Sequence, residues 1–195
     1  MFKFNAEGDK QRPNGVVYAW IDAFLLPESR EGSKQDLAWS GNLKTTIEEA
    51  RAQRKRTGQP QLVFVDFTGK SCKNCKYNEN NVFSKPDIKN LFRPYRLVQL
   101  YTDVVPNELY PSGIRAQLGS VNSRQSADAQ VNLWFQQEAF DTEQLPLYVI
   151  LEPQEDDQIR IVGVYAEGKI NNIEEFAEFL RKPVAKDGGT QVGLR

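Results

Sequence analysis

The stretch Leu62-Val63-Phe64-Val65-Asp66-Phe67-Thr68-Gly69-Lys70-Ser71-Cys72-Lys73-Asn74-Cys75 decides how this chain is read. Residues 62–67 form an apolar run broken by one carboxylate, the pattern of a buried strand. The stretch ends in the only two cysteines of the chain, with two residues between them. A strand that empties into Cys-x-x-Cys at the start of a helix is the local design of a thiol–disulfide redox site. The spacing fits the first turn of a helix and lets the two sulfurs close a small ring. The first sulfur lies near the helix N-terminus, where unpaired N–H groups favour the thiolate. Cys72 is therefore the expected attacker and Cys75 its partner.

Two other uses of the pair are weaker. A structural zinc site takes about four ligands, usually Cys or His. The chain has no His and no further Cys, so only a zinc shared between two chains stays open as a metal reading. As a purely structural clip, so short a loop removes little entropy from the unfolded chain. The expected redox group is the Cys72–Cys75 disulfide itself, with no metal and no organic cofactor.

The 195 residues, 39% of them hydrophobic, can bury one good core. A formal charge of −1, from 25 basic and 26 acidic residues, points to neither nucleic acid nor an acidic membrane surface. No segment reaches the roughly 20 apolar residues that span a bilayer. The longest candidate, residues 16–26, is too short and carries Asp22, and residues 1–9 lack the apolar core of a signal peptide. The chain as written is expected to be soluble.

Residues 1–37 read as an N-terminal extension, with a short packed helix over 16–26 and an exposed linker over 27–34. Ser40 or Asn42 can cap a helix running to about Arg56 and stopped by Gly58 and Pro60. Its basic end, Arg51, Arg54, Lys55 and Arg56, suits a helix C-terminus. After the strand at 61–67 comes the cysteine helix, to about Phe83, and a short helix opened by Pro86. Residues 97–101 form the next strand, and 103–122 an ordered excursion. A helix capped by Ser123 or Ser126 then runs to about Ala139, with Trp134 and Phe135 expected in the core. Strands over 147–151 and 159–165 and a helix over 173–181 complete the chain, and 183–195 is expected to be a flexible tail. The order helix, strand, helix, strand, helix, strand, strand, helix gives an α/β mixed sheet with helices on both faces. The domain is expected over 38–182, with an insertion at about 103–140 before the strand that Leu145-Pro146 opens.

Val65-Asp66-Phe67 six residues before Cys72, the Cys72/Cys75 pair and Leu145-Pro146 before a strand resemble the thioredoxin fold over about residues 43–181. The stretch 66–75, with Asn81-Val82-Phe83-Ser84 and Leu100-Tyr101-Thr102-Asp103, is similar to the C-terminal thioredoxin-like domain of the DsbD family. That resemblance implies a thiol:disulfide interchange reductase acting on protein partners. Electrons would arrive from a membrane donor domain and pass to exported proteins, including cytochrome c maturation factors. It implies a periplasmic domain of a membrane protein. Two rivals stay open: an autonomous intracellular thioredoxin-like reductant, and a non-catalytic interaction module of the same fold.

Within this frame Cys72 is the nucleophile and Cys75 the resolving thiol, with Lys70, Lys73 and Lys76 around the pair. Ser71, Lys73 and Asn74 stand where an ordinary thioredoxin has Trp, Gly and Pro, which implies a different substrate range. Asp66, inside an apolar strand, is expected to have a raised pKa and to take the proton of the resolving thiol; the alternative is an exposed strand-end Asp. Glu79, four residues after Cys75, shares its helix face and is the second acid of the family pattern. Otherwise it is a solvated helix Glu. Pro146 matches the cis-proline of the fold, a trans proline at a strand start being the alternative. The backbone of Leu145 is then free to pair with an extended substrate segment, and its side chain narrows the approach.

Overall fold

The structure is a computed structural model, and it describes residues 37–110, 112–115, 118, 123–154 and 158–184. The expected helix at 16–26, the linker at 27–34 and residues 185–195 of the expected tail lie outside the described residues, while 183 and 184, expected in the tail, end the last helix.

Five strands form one mixed sheet: β1 (Trp39–Ser40), β2 (Leu62–Thr68), β3 (Tyr95–Tyr101), β4 (Leu147–Pro153) and β5 (Ile159–Tyr165), in the spatial order β1-β3-β2-β4-β5. β2 and β3 are parallel, while β4 runs antiparallel to both β2 and β5. Every residue of β2 and β4 is buried, because both are interior strands with a layer on each face. The two-residue β1, parallel to β3, falls just before the helix expected to run to about Arg56 and is too short to show a period in sequence.

Helix α1 (Leu43–Thr57) starts where Asn42 accepts the Thr45 N–H at 3.1 Å and stops where Gly58 takes φ 71°, as a cap and a left-handed stop should. Its basic end does more than meet a helix dipole. Arg51 donates to the carbonyls of Gln154 and Gln158, and Arg54 to Glu152 and Pro153, so the helix is tied to the β4–β5 connection. The cysteine helix α2 (Lys73–Asn78) is shorter than expected and gives way to a π-helical turn, Glu79–Phe83. The wider turn turns the adjacent Val82 and Phe83 both inward, 1% and 4% exposed. Helix α3 (Pro86–Phe92) has proline in its first turn. Short α4 (Ser112–Arg115), long α5 (Ser123–Phe140) and α6 (Ile173–Val184) complete the set.

The alternation of β2 divides the interior. Val63, Val65 and Phe67 face a core shared with α1 and α5. Leu62 and Phe64 face a second, aromatic core with Val82, Phe83, Phe92, Tyr148 and Phe176. Phe64 is fully buried, with ring centroids of Phe92 at 4.9 Å and Tyr148 at 5.7 Å. The insertion has a small core of its own, Val105, Tyr110, Leu118 and Ala129. Gln125 there donates to the Val105 carbonyl at 2.7 Å, and the Tyr110 hydroxyl to Asp128 at 2.6 Å. One expectation fails in α5. Phe135 is buried, but Trp134 is 42% exposed. Neighbouring residues on a helix point about 100° apart, so only one of the two can face the sheet squarely. Among the described residues no helix is long and apolar enough to cross a membrane.

Phe64→Ala should lower the unfolding free energy by about 3–5 kcal/mol, whereas Trp134→Ala should cost far less. Urea denaturation of both variants checks this, and equal losses would contradict the two-core arrangement.

Candidate active site

The seven-residue β2 ends at Thr68, and Gly69 then turns the chain toward the cysteines. The turn is closely packed: a Cβ at Gly69 would stand 3.1 Å from Leu145 Cδ1 and 3.2 Å from Asp103 Oδ2. Asp103, just past the end of β3, holds the loop. It accepts the N–H groups of Lys70 and Ser71, each at 2.9 Å, and the Ser71 hydroxyl at 2.8 Å. Partial burial pulls the Asp103 pKa upward, but the N–H donors of Ser71, Lys70 and Val104 outweigh it and hold the carboxyl below its ordinary range.

Cys72 is the N-cap of α2 and Cys75 sits in its first turn. The two are joined as a disulfide, S–S 2.05 Å. The backbone N–H of Cys75 also points at Cys72 Sγ, 3.1 Å away. The sulfurs are unequal: Cys72 is partly exposed and Cys75 only 1% exposed. Ser71, Lys73 and Asn74 are exposed around them.

Below the helix, Asp66 is 1% exposed. It pairs across the sheet with Gln99 on β3 and Tyr148 on β4, which places the three side chains on the face that α2 covers. Gln99 Nε2 donates to Asp66 Oδ2 and to Glu79 Oε1, each at 3.2 Å. Asp66 Oδ1 is buried and has no hydrogen-bond partner among the described residues. Burial, then the charge of Glu79, raise the Asp66 pKa well above its ordinary value against the opposing Gln99 hydrogen bond. Burial also raises that of Glu79, with Gln99 and Lys76 opposing. Asp66 is thus no exposed strand-end residue, and Glu79 is no freely solvated helix residue.

The Leu145–Pro146 peptide is cis, with Pro146 buried and Leu145 half-buried beside Gly69. Fully buried Gln136 on α5 donates to the Gln144 carbonyl at 2.8 Å and so anchors this loop. A third anchor is Asn78, the last residue of α2, fully buried. Its amide donates to the Tyr148 hydroxyl at 2.8 Å and to the Gly168 carbonyl at 2.9 Å, and its oxygen accepts the Ile170 N–H. The structure therefore gathers Asp66, Ser71, Cys72, Lys73, Asn74, Cys75, Glu79, Leu145 and Pro146 at one end of the central strands. Gln99, Asp103, Asn78 and Gln136 hold this arrangement without a local motif to mark them: the partners of the first three are far away in sequence, and that of Gln136 is across a loop, eight residues on. Asp103 alone left a trace, in the stretch Leu100-Tyr101-Thr102-Asp103. No group of His, Cys, Asp or Glu able to hold a metal occurs among the described residues.

Residues 42–153, more than half of the chain, match the Thioredoxin-like family, and the chain belongs to it. No curated protein matches the sequence significantly. Similar solved structures include a thioredoxin from Thermus thermophilus, 20% identical, covering 79% of this chain and 92% of that one, TM-score 0.49. The disulphide isomerase of Xylella fastidiosa Temecula1 is 15% identical, with 80% and 98% covered and a TM-score of 0.43. The oxidised C-terminal domain of Neisseria meningitidis DsbD is 11% identical, with 74% and 98% covered and a TM-score of 0.43.

The raised acids make a signed prediction. A carboxyl that holds its proton more tightly when folded stabilises the fold at low pH and loses that contribution as pH rises through its folded value. Asp66 and Glu79 should therefore cost stability above the ordinary carboxylate range, starting from 3.8 and 4.5. Asp103, with its lowered pKa, has the opposite sign and stabilises above that range. In urea unfolding of the oxidised protein from about pH 4 to about pH 8, Asp66→Asn should gain stability relative to the parent as pH rises. Parallel stability curves would contradict the burial of a titrating acid.

Proposed function

We propose that this thioredoxin-like protein is a thiol:disulfide oxidoreductase that reduces disulfides in partner proteins through Cys72 and Cys75. One observation carries the reading: a partly exposed sulfur at a helix N-cap is bonded to a sulfur sealed from solvent. In the reduced protein the Cys72 thiolate attacks one sulfur of a partner disulfide. That S–S bond breaks, a mixed disulfide forms, and the released partner sulfur takes up a proton. Cys75 then gives up its proton and attacks Cys72 Sγ, which expels the second partner sulfur as a thiol. Two electrons have passed to the partner, and the protein is left with the Cys72–Cys75 disulfide seen in the structure.

Helix-terminal N–H groups favour the attacking thiolate, as the Cys75 N–H directed at Cys72 Sγ illustrates. Asp66 serves as the acceptor for the Cys75 proton. Its raised pKa and its Oδ1, without a hydrogen-bond partner among the described residues, suit a group that gains a proton beneath the helix. Glu79 shares the Gln99 amide with Asp66 and adjusts how readily that proton is taken. The backbone at Leu145, next to the cis bond, receives the extended partner segment, with Ser71, Lys73 and Asn74 contacting it from the other side.

The narrower assignment is to a DsbD-like reductase, as its soluble terminal domain in the periplasm. It would be fed by a membrane electron-donor domain and would serve exported proteins, cytochrome c biogenesis among its outlets. The stretches 66–75, 81–84 and 100–103 support it.

Trapping tests the reaction. Cys75→Ser, incubated with exported proteins, should accumulate mixed disulfides through Cys72 that reductant releases, and Cys72→Ser should accumulate none. Absence of adducts with folded Cys75→Ser, or equal adducts with both variants, would contradict the mechanism.

A further inference from the structure

The rim around Cys72 is basic. Lys70 lies two residues before it, on the loop that Asp103 holds through backbone N–H groups. Lys73 and Lys76 follow on α2. Lys169, in the connection between β5 and α6, places its ammonium 4.3 Å from the centre of the Tyr77 ring. All four lysines are exposed, and Tyr77 is 42% exposed. The Lys169 connection is fixed to the cysteine helix, because Asn78 bonds to Gly168 and Ile170 on either side of it.

Nearby carboxylates do not cancel this charge evenly. Asp103 is committed to the loop N–H groups, and Glu79, half-buried on Gln99, faces Lys76 and offsets part of its charge. Glu167 is the exposed acid of the Lys169 connection. Over residues 70–79 and 166–172 four lysines are exposed against one exposed acid, Glu167, in a chain whose formal net charge is −1.

We propose that the lysine rim selects partners with Asp or Glu beside their reactive cysteines over partners with basic flanks. The proposal rests on the exchange reading above and adds a partner chemistry to it. A single exposed lysine is screened within about 8–10 Å in physiological salt. Several on one rim sum into a field that a charged partner meets before contact, which changes the rate of encounter more than the lifetime of the complex. The Lys169–Tyr77 pair adds a cationic and aromatic shelf on one side.

The test uses the full chain, reduced, and three synthetic peptides with the same internal disulfide, flanked by Glu, Ser or Lys. Reduction of each is followed by chromatography. The Glu-flanked peptide should react about tenfold faster than the Lys-flanked one at about 20 mM salt, with the Ser-flanked peptide between them. At about 300 mM salt the ratio should shrink below about threefold. A Lys70→Glu/Lys76→Glu/Lys169→Glu variant should bring the ratio to one or below. Equal rates for all three peptides at low salt would overturn the rim while leaving exchange intact, as would a preference indifferent to salt. Reduction of none of them would overturn the exchange reading and the rim with it.

Discussion

Everything at this site depends on the inequality of two sulfurs. Cys72 and Cys75 are separated by two residues, yet one meets solvent at a helix N-cap and the other is sealed beneath the first turn. That inequality comes from the interior strand β2, which is buried along its whole length and must carry the chain to the end of the sheet before it can turn. Gly69 makes the turn in a space with no room to spare, and Asp103 ties the loop down through Lys70 and Ser71. The helix then begins with its first cysteine outside and its second inside. Thiol–disulfide exchange needs this division, because attack requires access and resolution requires a neighbour that waits out of reach.

The surroundings of the pair show how an unfavourable buried acid is tolerated. Asp66 is taken out of water with one oxygen bonded to Gln99 and the other unpartnered among the described residues. An ionised carboxylate in that position is costly, and the raised pKa expresses the cost. In the proposed exchange the same burial suits Asp66 to hold a proton, so a loss in stability and a gain in chemistry would have one cause. Asn78 is the contrast: it is as deeply buried but has its amide donors and its oxygen all engaged, so it holds the structure together without titrating.

Much of this was legible in the sequence, and the rest was hidden for definable reasons. The apolar run with Asp66 inside it marked the central strand, and Asn42 and Gly58 marked the ends of α1, because local chemistry decides such features. The Leu145-Pro146 pair marked the strand entry that faces the site. Gln99, Gln136 and Asn78 gave no signal, since an amide in an amphipathic segment reads as surface until the group it bonds is known. The two-residue β1 had no period to detect, and the π-helical turn after α2 follows no local spacing rule. In sequence Trp134 and Phe135 both look like core. An aromatic pair declares burial for a helix without saying which member faces inward.

The inequality of the sulfurs can be measured without any partner protein. The folded protein is reduced, given a limiting amount of iodoacetamide, and mapped by mass spectrometry. The account predicts carbamidomethyl on Cys72 with Cys75 unmodified until the protein is denatured. Equal labelling of the two cysteines in the folded state, or earlier labelling of Cys75, would contradict it.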